Sequence, residues 1–223
     1  MSNLDDLTEL IDATHPGSAA KKKTRTVLNR LWLEPRPDLA DFAERGVEIY
    51  RGAPDTPVSA LTWGMALATY PFFGKVAEIV GRLTSLQGDC TSAEVHRRMA
   101  EIFGEREGTR RMTNMVLQSQ ASWGAIERVD KGKRIVRSPL IELDASAAAA
   151  WLAEACVRYA GRPLSVAGIG SNPIVYPFSL KGSSAYLFSQ SPYLEMRADS
   201  AGNQMIDLAT CQRGSNGWND DSK

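Results

Sequence analysis

The sequence predicts a mainly α protein with short β-hairpins, an α+β chain. Three observations predict it. Apolar residues recur at intervals of three and four along much of the 223 residues, the period of a helix with one buried face. Two pairs of short β-prone runs bracket turn-forming stretches, Asp130-Lys131-Gly132-Lys133 and Asp199-Ser200-Ala201-Gly202-Asn203, as hairpins require. Prolines fall at the ends of the periodic segments, where a helix must stop or start. At 43% hydrophobic the chain can bury a core, and 23% charged is ordinary for a globular protein.

Residues 1–20 are polar, with a short helix expected at Leu4–Ala13 and a linker ending in His15-Pro16-Gly17-Ser18. A helical N-terminal region follows over 21–71. Its first helix runs from Lys21 to about Leu33 and is stopped by Pro35 and Pro37. Asp38 is placed to cap a second helix to about Arg51, with Leu39, Phe42, Ala43, Val47 and Tyr50 at helical spacing. Val58–Tyr70 reads as a helix buried on most sides. Thr56–Gly74 holds no charged residue, but Pro57, Ser59, Thr62, Gly64, Thr69 and Pro71 make it a poor membrane span. No membrane partner is expected.

The stretch 72–139 reads as three helices followed by strand, turn and strand. Helix one covers about Phe72–Leu86, with Val76, Ile79, Val80, Leu83 and Leu86 on one face. Thr91-Ser92-Ala93-Glu94 has the spacing of a capping box and opens helix two, which ends at Phe103. Val95, Met99 and Ile102 are its expected inward residues. Gly104–Gly108 is the turn. Helix three covers about Glu107–Trp123, with Met112, Met115, Val116, Ser119 and Trp123 expected inward. Strands Ala125–Val129 and Arg134–Arg137 complete the unit.

A smaller module is expected over 140–211. Asp144 is placed to cap a helix to Tyr159, residues 162–178 read as irregular, and a short helix covers Leu180–Gln190. Leu194–Ala198 and Gln204–Ala209 read as strands. Helix, strand, turn and strand thus recur, a weak internal echo of 72–139. The polar tail 212–223 is expected to be disordered.

Net charge is zero, yet charge is unevenly spread. Residues 97–137 hold ten Lys/Arg against five Asp/Glu, and residues 21–36 hold six against one. The 144–209 segment holds four against five. Concentrated cations in a neutral chain point to an anionic partner more than the total does. The 144–209 segment is instead expected to pack on the rest of the chain or to form a homodimer or partner-protein interface. Cys90, Cys156 and Cys211 show no CxxC spacing, which argues against a metal or redox motif and fits a reducing, cytoplasmic setting. The N-terminus lacks a signal-peptide pattern.

Helix three carries Arg110, Asn114 and Gln118 at i, i+4 and i+8, a single stripe away from the expected apolar face. Their types suit base edges: Arg with guanine, Asn or Gln with adenine. Arg106 and Arg111 sit at the same end and suit phosphates. Lys131, Lys133 and Arg134 sit at the hairpin turn, where cations can meet backbone or minor groove. Lys21, Lys22, Lys23 and Arg25 form a second candidate phosphate contact. Glu105 and Glu107 dilute the positive end, and an ordinary solvated helix and hairpin would show much of the same pattern.

This arrangement resembles the winged helix-turn-helix superfamily over about 72–139. The resemblance implies duplex DNA binding through helix three and the hairpin, as a regulator of transcription or an accessory subunit. The same shape also serves protein–protein contact, which is the alternative function. The aromatic-rich segment ahead of it (Trp63, Tyr70, Phe72, Phe73) also resembles the BrxA-type accessory proteins of bacteriophage-exclusion systems, which implies a bacterial phage-defence role.

No enzyme is expected. HExxH, Walker A and GxSxG motifs are absent, as is any paired metal-ligand spacing. Gly168-Ile169-Gly170-Ser171-Asn172 lacks a third glycine and Lys181-Gly182-Ser183-Ser184 has no preceding GxxxxG, so both read as loops. His15 and His96 read as solvated or structural. No catalytic residue, metal or cofactor is assigned.

Overall fold

The computed structural model describes residues 8, 9, 11, 17–143, 147–180 and 185–209. The expected Asp144 cap, His15, Lys181–Ser184, Cys211 and the tail from Gln212 lie outside them. Of the Leu4–Ala13 helix only Thr8, Glu9 and Ile11 are described, and they are helical. The chain forms two compact units, Met1–Asp55 and Thr56–Lys223. It is mainly helical, with small sheets.

In the first unit, α1 spans Ser18–Leu28 and continues into one wider turn at Asn29–Leu33, closed by Glu34 N–H donating to Asn29 O at 2.7 Å. The helix starts three residues before the expected Lys21. Its lysines therefore occupy the first two turns, where no acidic residue offsets the unsatisfied amides. Asp38 does not cap the next helix. Pro37–Leu39 forms a single tight turn, the Asp38 carboxylate accepts from Arg36 Nη2 at 2.8 Å, and α2 runs Ala40–Gly52. Leu31, Leu39, Phe42 and Ala43 are buried, while Tyr50 is exposed.

The second unit is built around α3, Val58–Thr69. This uncharged helix is buried on most sides, as its composition predicts, and too short to cross a membrane. Among the described residues no helix is long and apolar enough to do so. Trp63 is wholly buried and meets Phe73, Tyr176, Phe178 and Trp123 edge-on at ring separations of 4.9, 5.5, 5.8 and 6.2 Å. Such edge-to-face geometry sets positive ring edges on negative faces. The Trp63 indole N–H donates to Ile174 O at 2.9 Å, which satisfies its one buried polar group.

Next, α4 spans Pro71–Gln87, with Pro71 at its first turn, where a missing amide costs nothing. Val76, Ile79, Val80 and Leu83 are buried as expected, but Leu86 is 83% exposed. A strand not expected from the sequence follows: β1, Asp89–Thr91. Then come α5 (Ser92–Phe103), α6 (Glu107–Ser122), β2 (Ile126–Val129) and β3 (Arg134–Arg137). The three strands form an antiparallel sheet in the order β1-β3-β2, with Cys90 opposite Ile135 and Arg128 opposite Ile135. Half of the capping box forms: Thr91 Oγ1 accepts from the Glu94 amide at 3.1 Å. The Glu94 carboxylate pairs with Arg98 at 3.3 Å. Ile102 is 52% exposed rather than inward.

The C-terminal segment packs on this scaffold. Ile141–Glu142 (β4) pairs in parallel with Phe178–Ser179 (β6). The next helix, α7, spans Ala147–Ala160 and lies on α3. The region expected to be irregular is organised into β5 (Leu164–Ser165), the single-turn α8 (Val166–Ile169) and a tight turn at Pro173–Val175. The short helix is confined to Ala185–Ser189 (α9), and β7 (Leu194–Ala198) and β8 (Gln204–Leu208) form the expected hairpin. The sheet order is β5-β8-β7. The strand order from α7 to β8 therefore repeats that from α4 to β3, with much shorter second and third helices and with β6 inserted between them.

Close approach between layers depends on glycines. A Cβ on Gly64 would lie 2.3 Å from the Trp151 ring, one on Gly74 would lie 2.1 Å from the Tyr159 ring, and one on Gly81 would lie 2.1 Å from Pro173 O.

Candidate nucleic-acid interface

The phase of α6 differs from the expected one. Its buried residues are Thr113, Leu117 and Gln120, whereas Met112 and Met115 are 45% and 41% exposed. Thr113 can turn inward because its hydroxyl donates to Thr109 O at 2.8 Å. Gln120 can because Tyr176 Oη donates to its Oε1 at 3.0 Å. The expected stripe survives the change: Arg110, Asn114 and Gln118 are all exposed. With Met115 and Arg128 they line a shallow depression of about 400 Å³.

Two stripe residues are held by neighbours that sequence reasoning missed. His96 Nε2, on α5, lies 3.2 Å from Asn114 Oδ1. Arg128 Nη1, on β2, donates to Gln118 Oε1 at 3.4 Å, and its Nη2 donates to Gly132 O at 3.4 Å. Arg128 thus ties the helix to the hairpin turn. Strand alternation was the available signal, since it puts Arg128 on the face of the buried Ile126. No local signal reveals the reach of His96.

The hairpin turn has an unusual backbone. Asp130, Lys131 and Gly132 all have positive φ, at 52°, 58° and 82°. This region suits Gly and is tolerated by Asp, but is unfavourable for Lys. The first residue of α5 holds the turn in place: Ser92 Oγ donates to Gly132 O at 2.5 Å and the Ser92 amide donates to Lys133 O at 2.8 Å. Lys131 and Lys133 consequently stand out from a fixed loop.

Ion pairing divides the cations into two groups. Arg97 pairs with Glu101 at 2.5 Å, Arg111 with Glu107 at 3.9 Å, and Arg134 with Asp89 at 2.8 Å and Asp130 at 3.9 Å. Arg134 is therefore braced at the start of the central strand, and Glu107 is partly offset. Arg106, Arg110, Lys131 and Lys133 have no acidic partner among the described residues, and all four are exposed. Arg137 is turned inward: it donates to Tyr176 O and its guanidinium lies over the Tyr176 ring at 5.3 Å. In the first unit, Lys22, Lys23 and Arg25 are exposed and Lys21 is half-buried on α1.

Elsewhere, groups that could carry chemistry are engaged. Burial pushes the Cys156 and Cys90 thiols up to about 12, with Glu94 and Asp89 adding to the effect at Cys90. Neither thiol is a thiolate at neutral pH. In the 168–172 loop, Asn172 Oδ1 accepts from the Ile174 amide at 3.1 Å and Ser171 Oγ donates to Gly168 O at 3.3 Å. No group of three or more His, Cys, Asp or Glu is arranged for a metal among the described residues. No protein-family model, curated protein or solved structure matches the chain.

Proposed function

We propose that this chain binds duplex DNA through a winged helix-turn-helix formed by α4 to β3, with α6 as the recognition helix and the β2–β3 hairpin as the wing. The observation that carries the proposal is the convergence, on one helix face, of two exposed amides with cations that have no acidic partner among the described residues. Arg106 and Arg110 precede Asn114 and Gln118 at four-residue spacing, and Arg128 links that face to a rigid turn bearing Lys131 and Lys133. The element order and the β1-β3-β2 strand order support the fold reading. Backbone cations supply affinity and register, while side chains on the helix face meet base edges. Lys21, Lys22, Lys23 and Arg25 on α1, in the first unit, are a separate candidate phosphate contact. The protein acts as a regulator or as a DNA-binding accessory subunit. The resemblance to BrxA-type proteins supports a phage-defence setting in bacteria.

A second reading is contact with a partner protein. It draws on Ile102, Met112 and Met115, which are exposed on α5 and α6. Fluorescence anisotropy with a labelled duplex across a salt series separates the two. A DNA binder loses affinity steeply as salt rises, because each neutralised phosphate releases counterions. Failure to bind any duplex at low salt refutes the first reading.

A further inference from the structure

We infer that the α6 surface is a donor-only reader, selecting guanine edges over adenine edges in the duplex. The inference rests on the DNA-binding reading and gives it a base preference. An asparagine or glutamine reads adenine with both ends of its amide: the carbonyl accepts from N6 and the amide nitrogen donates to N7. Here both carbonyl ends face protein donors. Asn114 Oδ1 is turned to His96 Nε2 at 3.2 Å and accepts from it in the Nε2-protonated tautomer. Gln118 Oε1 is turned to Arg128 Nη1 at 3.4 Å. The NH₂ groups of these two exposed side chains make no hydrogen bond among the described residues. Arg110, between them and the helix start, can only donate.

The depression therefore presents three donor side chains, while each amide carbonyl already has one of its two lone pairs turned to a protein donor. Its carboxylate, Glu107, sits at the margin beside Arg111. Guanine offers two major-groove acceptors, N7 and O6. Adenine offers one acceptor and an amino donor that would be stranded against donors. From Arg110 to Gln118 the helix advances about 12 Å, which spans roughly three or four base steps. The preferred site is a short guanine-rich run on one strand. His96 and Arg128 are positioning residues, acting through the amides they hold.

The test is selection of the full chain on a randomised duplex pool at one fixed salt concentration, followed by 7-deazaguanine substitution at the enriched positions. The expected result is enrichment of guanine within a window of about four base pairs, with about tenfold weaker binding for each lost N7 that is contacted. His96→Ala frees the Asn114 carbonyl, so one guanine position should come to accept adenine while the folded state persists by circular dichroism. A structural role alone would not exchange one base for another. Enrichment of adenine, or retained binding with no base preference, overturns this inference and leaves DNA binding standing. Unchanged preference in His96→Ala overturns the role of His96. Failure to retain any duplex at low salt overturns both proposals.

Discussion

Replacing Tyr176 by phenylalanine removes one oxygen and keeps the ring. The perturbation is confined because the ring keeps its contacts with Trp63 and Arg137. What is lost is the hydroxyl that donates to Gln120 Oε1 at 3.0 Å, between side chains that are 5% and 0% exposed. Gln120 Nε2 is buried with no acceptor, so the Tyr176 bond is what satisfies this side chain. Stranding the carbonyl costs its desolvation, about 1–3 kcal/mol. Gln120→Leu strands the Tyr176 hydroxyl instead and costs about as much. The double variant removes both polar groups and should cost no more than either single change, giving a coupling of about 1–3 kcal/mol. Urea unfolding followed by tryptophan fluorescence reads this directly, as a midpoint shift at constant slope. A Tyr176→Phe protein as stable as the parent would refute the reasoning. So would a double variant whose loss equals the sum of the two.

Three further outcomes are expected. Arg110→Ala should cost about 1–3 kcal/mol of duplex binding and relax base preference, whereas Lys131→Ala should weaken all sequences alike and lower the salt slope by about one; anisotropy titrations at several salt concentrations check both. Gly81→Ala drives a Cβ against Pro173 O and should destabilise by about 1–3 kcal/mol, while Gly108→Ala, with open space around it in α6, should stabilise by up to about 1 kcal/mol; thermal melts give the two signs. Stability should fall as pH rises above 9. The Cys156 thiol has a folded value of about 12 against an ordinary 9.0, so between these values the unfolded chain has lost a proton that the folded chain keeps. The slope from this group approaches about 1.4 kcal/mol per pH unit and the Cys90 thiol adds its own, so Cys156→Ala should make the fall shallower without abolishing it in urea titrations between pH 8 and pH 10.

Helices with a continuous local pattern were legible in the sequence, and features that depend on distant partners were not. The uncharged run at 58–70 and the apolar spacing of 76–83 reveal α3 and α4 because burial is written along one segment. β1 is three residues long and shows no alternation; it exists because Asp89–Thr91 meets Arg134–Val136 far along the chain. The phase of α6 was misread for a related reason. Methionine outranks threonine and glutamine on any apolar scale, yet Thr113 satisfies itself locally and Gln120 is satisfied by Tyr176, 56 residues away. At the candidate site the stripe could be read from spacing alone. Its tethering to His96 and Arg128 could not, because neither partner lies on α6. The hairpin turn was visible as a glycine-containing stretch, but its clamp by Ser92 spans 40 residues and left no local trace.

The bond from Trp63 to Ile174 crosses 111 residues, and the surface of α3 is closed by α7 and the 173–178 segment. During synthesis these covers leave the ribosome after the 58–139 segment. A nascent chain that has reached Pro139 already carries the whole proposed DNA-reading module, with a bare, uncharged helix in front of it. Closing so long a loop is slow, and apolar surface left waiting is prone to misassembly. Synthesis of residues 147–178 thus acts as a checkpoint: the part that would touch nucleic acid gains its support only after these residues have been made.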